Sequence, residues 1–556
     1  MELSRAEYAA LYGPATGDRV RLADTNLLVR VEADDNAPGH EPVVGFGKAI
    51  RDGQLAGGGR PLEEAMDVVV TNVLVLDPVL GIRKTCLGIR DGRIAAMGRA
   101  GDPDRDDQVR VPISSATGIV AAEGLIATPG AVDSHVHLIG PQLVPAALEG
   151  GTTTVVAMSY SGAFDVGINP RANFDRLLDA WSAVPLNLVP MVRGSTANAG
   201  FLEALLEMGG GAFKIHEDVG AYPDVVDAVL ACADRHDVGV ALHADGLGES
   251  ATLGETLDAI AGRAVHAYHV EGCGGGPTDV LELVSQPHVL PSSTTPTVPF
   301  GVNVAAEHEE MIATVHRLHP ALPNDARAAR GRIRPWTVAA ESVLHDLGAI
   351  SVMSSDSMGM GRMSEVTRRT WQLAHVMREA AGETGDDANE RVLRYLAKLT
   401  INPALIHGIA HDVGSLETGK LADVVLWRPA FFGIVPHLVL KAGFPVWGAR
   451  GSAYASTRHG EPVIQGELWG SLGAAPAQLA TVYASAAGEA RVRARRSGRV
   501  GVVRATRSVR KADLVRNAAT PRVEVDGERR EVRVEGAAID LQPVTDLPMN
   551  AAYTLA

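Results

Sequence analysis

The chain has 556 residues, 46% hydrophobic and 21% charged, enough to bury a large core in two or more domains and too apolar for a disordered or fibrous protein. With 51 basic and 66 acidic residues its formal charge is −15, which argues against an extended phosphate-binding surface and so against nucleic acid as a partner. Its three cysteines, Cys86, Cys232 and Cys273, are far apart and show no C-x-x-C spacing, so neither a disulfide framework nor a zinc knuckle is expected.

The opening residues 1–14 lack a basic stretch followed by an apolar one, and nowhere do the roughly 20 apolar residues of a membrane-spanning helix occur. A cytoplasmic protein without membrane contact is expected. Residues 66–126 read as short strands: the apolar run Asp67–Asp77, then Cys86–Met97, in which Asp91-Gly92 forms a hairpin turn. From about 129 to 400, β-rich apolar runs alternate with helical patterns, the sequence form of parallel βα units. Eight such runs end near His137, Met158, Val192, His216, His243, His269, Ser293 and Asp356, with helices such as 173–182, 198–208, 222–235 and 278–285 between them. Eight βα units predict a TIM (β/α)8 barrel.

After the barrel, Gly419–Trp427 returns to strand character and is expected to complete the β-domain begun before residue 128. The fold class is then α/β, a barrel inserted in a β-sandwich-like domain. The expected division is 1–128 for the N-terminal region and first part of the β-domain and 129–410 for the barrel, with a flap at about 303–340. Residues 411–480 form the second part of the β-domain and 481–556 a C-terminal region. Within 491–511, Arg491, Arg493, Arg495, Arg496 and Arg499 stand against an acidic remainder and read as a solvated or subunit-contacting face.

A TIM barrel carries its chemistry at the carboxyl ends of its strands, and His135, His137, Lys214, His243, His269 and Asp356 all fall there. His135 and His137 are two apart on a strand, so both rings reach one side; an incidental pair is the alternative. Lys214 and His216 repeat that spacing in Gly211–Asp218, where a lysine facing a packed interior must be paired, neutral or modified. Reaction with CO2 would turn the amine into an anionic carbamate able to bridge two cations; an ion pair with Glu217 or Asp218 is the alternative. His243 and His269 each end an apolar run, while His266, on the opposite strand face from His269, reads as a core or helix-facing residue. Asp356, after Gly348–Met353, can complete a coordination sphere or act as a turn or N-cap residue. Imidazole and carboxylate donors suit nickel, zinc, cobalt or iron alike.

These residues resemble the alpha (catalytic) subunit of urease, within the amidohydrolase superfamily, from end to end. The matching segments are Tyr12–Asp24, Lys214–Asp218, Leu290–Thr294, His345–Gly348, Ser354–Ser357 and Thr400–Pro403. The resemblance implies two Ni(2+) per chain, with Zn as the other possibility, bridged by a CO2-derived carbamate on Lys214. His243 and His269 would hold one ion, and His135, His137 and Asp356 the other. It implies His216 as a hydrogen-bond partner of the urea oxygen, Gly274 and Gly359 as substrate-binding positions, and His316 as the flap's general acid, tuned by Asp218 and Arg332. Implied partners are the urease beta and gamma subunits in a trimer of heterotrimers and nickel-delivery accessory proteins.

The chain departs from that family at the flap, where Val315 and Arg317 flank His316 in place of a cysteine and a histidine. It also departs in the loop Met158–Asn169, at Gly276-Pro277 and at Met358-Gly359. Metal donors set the chemistry and the pocket wall sets selectivity, so an amidohydrolase acting on another small amide or urea derivative, and a non-catalytic paralogue, stand as alternatives.

Overall fold

The computed structural model describes residues 3–36, 38–43, 61–158, 171–216, 220–243, 252–272, 278–450 and 464–550. Ahead of the barrel, Val68–Asp77, Gly81–Arg90 and Arg93–Gly98 form an antiparallel meander. Asp91 and Gly92, at φ 53° and 74°, make the left-handed two-residue turn whose twist matches the strands it joins. Val68–Asp77 is apolar on both faces because both are covered. Leu74 and Leu76 join the main core with Ile82 and Ile126, while Val70, Val73 and Val75 pack with Leu87, Ile89, Val424 and Leu426.

The short strand Ile126–Pro129 lies parallel to Val68–Asp77 and antiparallel to Val424–Trp427. The segments entering and leaving the barrel are therefore hydrogen-bonded neighbours, as Gly419–Trp427 led one to expect. Leu438–Lys441, Phe444–Arg450 and Ile464–Glu467 continue the sheet.

The barrel strands are β1 Ala131–His137, β2 Thr152–Met158, β3 Asn187–Arg193, β4 Ala212–Ile215, β5 Gly239–His243, β6 Val265–Tyr268, β7 Val289–Thr294 and β8 Val352–Ser354. Each pairs in parallel with the next. A bridge from Val136 to Ser357, with the His137 amide donating to the Ser357 carbonyl at 3.0 Å, joins β1 to the segment after β8. The strands are almost wholly buried and so read as continuous apolar runs rather than alternating ones. Helices Arg171–Trp181, Ala199–Met208 and Pro223–His236 stand where helical periodicity predicts them; 278–285 instead forms the short 3-10 turn Val280–Ser285.

The connection between β7 and β8 carries three helices, Val304–Val315, Pro323–Gly331 and Pro335–Asp346. The first ends at Val315. Arg317 turns left-handed at φ 54° and the Leu318 amide donates back to the Ala313 carbonyl at 2.8 Å, a Schellman-type ending that leaves His316 as the cap.

The arginine-rich tail is in part the expected solvated face, with Arg493 and Arg495 exposed, and in part docked within the chain. Thr481–Ala484 adds to β3 and pairs with Arg499–Val502. Arg491 and Arg495 reach Asp175 and Asp179 on the helix Arg171–Trp181, and Arg507 reaches Asp234 on the helix Pro223–His236. Acidic residues on the outer barrel helices thus dock this tail within the chain. Among the described residues no helix is long and apolar enough to cross a membrane.

Candidate metal centre

His135 and His137 close β1, and Asp356 follows β8 with a left-handed φ of 54°. Asp356 Oδ1 lies 3.2 Å from His135 Nε2 and 3.4 Å from His137 Nε2. Among the described residues these three form a group whose donor atoms all lie within 4.8 Å of one another, and all three side chains are buried. Burial alone would raise the Asp356 carboxyl, but the His135 and His137 imidazoles outweigh it and hold the group well below the usual carboxylate range. The carboxylate is anionic, as a cation ligand must be.

A line of imidazoles continues from this group. The His135 and His269 rings are 5.7 Å apart, His269 and His243 4.2 Å, and His243 and His216 4.0 Å. Burial, with the neighbouring positive groups, pushes the His135 and His216 rings well below the ordinary histidine range. Neutral rings offer the lone pairs that a divalent ion takes. His135 Nδ1 and Asp356 Oδ1 are buried with no hydrogen-bond partner among the described residues, which is costly unless another group takes them up. Donor type, protonation and convergence therefore fit divalent cations.

Lys214 is 1% exposed, and its Nζ stands 3.8 Å from the centre of the Tyr268 ring. Tyr268 also stacks on His135 at 3.8 Å, so the lysine of β4 and the histidine of β1 share one neighbour. His266 is buried, as expected for a core residue, but strand alternation does not separate it from the site. β6 ends at Tyr268 and His269 turns left-handed at φ 33°, so parity is lost one residue before it is applied. His266 meets the Tyr268 ring edge-on at 4.7 Å and bonds His407 at 3.0 Å below it.

The flap residues come together as helix ends. His316 caps Val304–Val315, Arg332 caps Pro323–Gly331, and Arg332 Nη1 approaches His316 Nε2 at 3.1 Å. A guanidinium can only donate, so Nε2 is the acceptor in this pair, and the ring must take up a proton before it can act as an acid. Gly359 sits against the metal group: a Cβ there would meet Asp356 Oδ1 at 2.4 Å and His137 Cδ2 at 3.1 Å. Asp218, Gly274, Gly276-Pro277 and the loop from residue 159 to Asn169 lie outside the described residues.

Three residues near the site escape sequence reasoning. Tyr268 is one; its position two residues after His266 on the same strand is the signal available. His308 is fully buried on the flap helix with both ring nitrogens unpartnered among the described residues, and burial pushes it down to about 4. Glu341, on Pro335–Asp346, has its carboxyl pushed well above the usual range by burial and by Glu271 beside it. From the same helix His345 Nε2 meets Ser293 Oγ of β7 at 2.8 Å, which gives the His345–Gly348 segment a structural anchor.

Residues 126–444 match the amidohydrolase family, and residues 1–120 match the N-terminal domain of the urease alpha-subunit. The urease subunit alpha 2 of Streptomyces coelicolor is 47% identical over 562 residues, covering 100% of both chains. The urease subunit alpha 1 of Streptomyces avermitilis is 48% identical over 99% of each chain, and the urease subunit alpha of Haloquadratum walsbyi is 43% identical over 100% of each. A solved D-hydantoinase structure, 16% identical, has a TM-score of 0.48 and covers 68% of this chain and 95% of its own.

Proposed function

The chain belongs to the urease alpha-subunit family of amidohydrolases, and from that premise we propose that it hydrolyses urea to ammonia and carbamate at a pair of nickel ions. The observation that carries this reading is the buried convergence of His135, His137 and Asp356 beside the run of imidazoles from His269 to His216. His135, His137 and Asp356 would hold one ion and His243 and His269 the other. Lys214, converted by CO2 to a carbamate, would join them. When bound, the metals supply Lewis acidity toward a carbonyl oxygen and lower the pKa of a bound water.

The rest of the chemistry belongs to side chains. His216 donates a hydrogen bond to the urea oxygen and orients the carbonyl. Gly274 and Gly359 are the other substrate-binding positions; at Gly359 any side chain would press on Asp356 and His137. Departing ammonia needs a proton, and His316 delivers it from the flap. Arg332 holds His316 through Nε2, and the family resemblance assigns Asp218 the tuning of that histidine. The beta and gamma urease subunits in a trimer of heterotrimers, nickel-delivery accessory proteins and a cytoplasmic location complete the reading.

The test is ammonia release from urea by the chain co-expressed with its small subunits and nickel accessory proteins, with metal content read on the same sample. Turnover with about two nickel ions per chain is expected. A loaded enzyme that ignores urea and opens a cyclic amide such as hydantoin would overturn the substrate assignment.

A further inference from the structure

The β1–β2 ladder loses its register between Asp133 and Val136, so Ser134 and His135 lack regular strand pairing where His135 must be aimed. A backbone irregularity at a ligand needs another restraint to fix the side chain. One is the His135 amide, which donates to Asp133 Oδ1 at 3.2 Å. The other comes from across the barrel: the Tyr268 hydroxyl donates to the Ser134 carbonyl at 2.6 Å, one residue before His135.

The Tyr268 ring acts on the same residues. It stacks on the His135 imidazole with 16° between the planes, and Lys214 Nζ stands 3.8 Å from its centre. Below, the His266 ring meets it edge-on, and His266 is itself held by His407. Tyr268 is thus a fully buried slab under the site, braced from beneath and touching groups from β1 and β4.

We propose that Tyr268 is a positioning residue of the metal centre: its hydroxyl fixes the irregular backbone that carries His135, and its ring sets His135 and Lys214 relative to each other. The inference rests on the two-metal reading above. Its two halves are separable, because Tyr268→Phe removes the hydroxyl and keeps the ring, whereas Tyr268→Leu removes both.

The full chain and both variants are produced with the small subunits and accessory proteins. Metal per chain, the rate of metal release to a chelator and thermal unfolding of the metal-free protein are then measured alongside urea turnover. The Phe variant is expected to load fully but release metal several-fold faster. The Leu variant should lose affinity about 10- to 100-fold, the range for residues that orient ligands, and load one ion or fewer. Retention of metal in the order wild type, Phe, Leu, without a matching order in metal-free unfolding, supports positioning over mere packing. A wild type that loads and a Leu variant that loads and releases identically would overturn this inference alone. A wild type that takes up no metal would overturn the two-metal reading and this inference with it. Should the Leu variant not fold, the Phe variant decides: a wild-type release rate overturns the proposal.

Discussion

The two ends of the barrel hold their buried polar groups in opposite ways. At the amino end, Lys441 donates to Asp423 and Asn187, Asn187 donates to Thr154 and Asp423, and the Thr481 amide donates to Asn187. Within this network every partner is supplied by the chain, and it ties β2 and β3 to the surrounding sheet and to the tail, although Thr152 and Thr153 Oγ1 beside it have no partner among the described residues. At the carboxyl end, imidazoles and a carboxylate crowd one another, His269, Asp356 and Met358 are left-handed, and His135 Nδ1 and Asp356 Oδ1 are left over. Strained backbone and unsatisfied buried polar atoms persist where the surrounding structure over-determines them. One end closes a buried ion pair with the chain's own groups, and the other is the end at which we propose that cations bind.

The sharpest way to break this contrast is Lys214→Ala. Removing the group proposed to join the two ions should abolish urea turnover and cut bound metal below two per chain, as read by elemental analysis. His316→Ala should lower kcat by about 10²- to 10⁴-fold, the range for a lost general acid, with metal content unchanged. Gly359→Ala comes next, because its Cβ would press on Asp356 Oδ1 at 2.4 Å. Metal affinity and activity should both fall about 10- to 100-fold, seen in a chelator competition.

The amino end should respond on the other axis. Lys441→Met strands Asp423 in the core and should cost about 3–5 kcal/mol in denaturant unfolding, while turnover per bound metal stays at the wild-type value. The smallest effect per group is in pH. Burial holds His308 down to about 4 and His407 to about 3, both below the roughly 6.5 of an unfolded chain. Between those limits the unfolded state binds more protons, so the stability from each neutral ring is complete above about pH 6.5 and is lost as pH falls. The unfolding free energy should decline with a slope approaching about 1.4 kcal/mol per pH unit for each histidine below about pH 6, and a flat profile between pH 6.5 and 5 would contradict the assignment.

The strand ends were legible because parallel strands buried on both faces leave continuous apolar runs, and the residues that end β1 and β5, with Asp356 just after β8, carry chemistry no core needs. His316 and Arg332 were named as partners by resemblance; the reason they meet, two helix ends brought together by the left-handed Arg317, is a backbone event that residue types do not announce. Tyr268 was missed because a tyrosine in an apolar strand looks like ordinary core, and its role appears only through contacts with residues distant in the chain. His266 is a core residue as expected, but strand parity is not what sets it apart from His269, which has already left the strand. The solvated face read for the tail holds for Arg493 and Arg495, while the pairing within the chain was hidden because the acidic partners sit some 300 residues away, as in Arg491 with Asp175 and Arg495 with Asp179.

The most direct test of the central claim is anomalous diffraction at the nickel edge from crystals of the metal-loaded assembly. Two peaks are predicted, one among His135, His137 and Asp356 and one beside His243 and His269, with continuous density from Lys214 between them. A single peak, or metal bound away from these residues, would contradict the account.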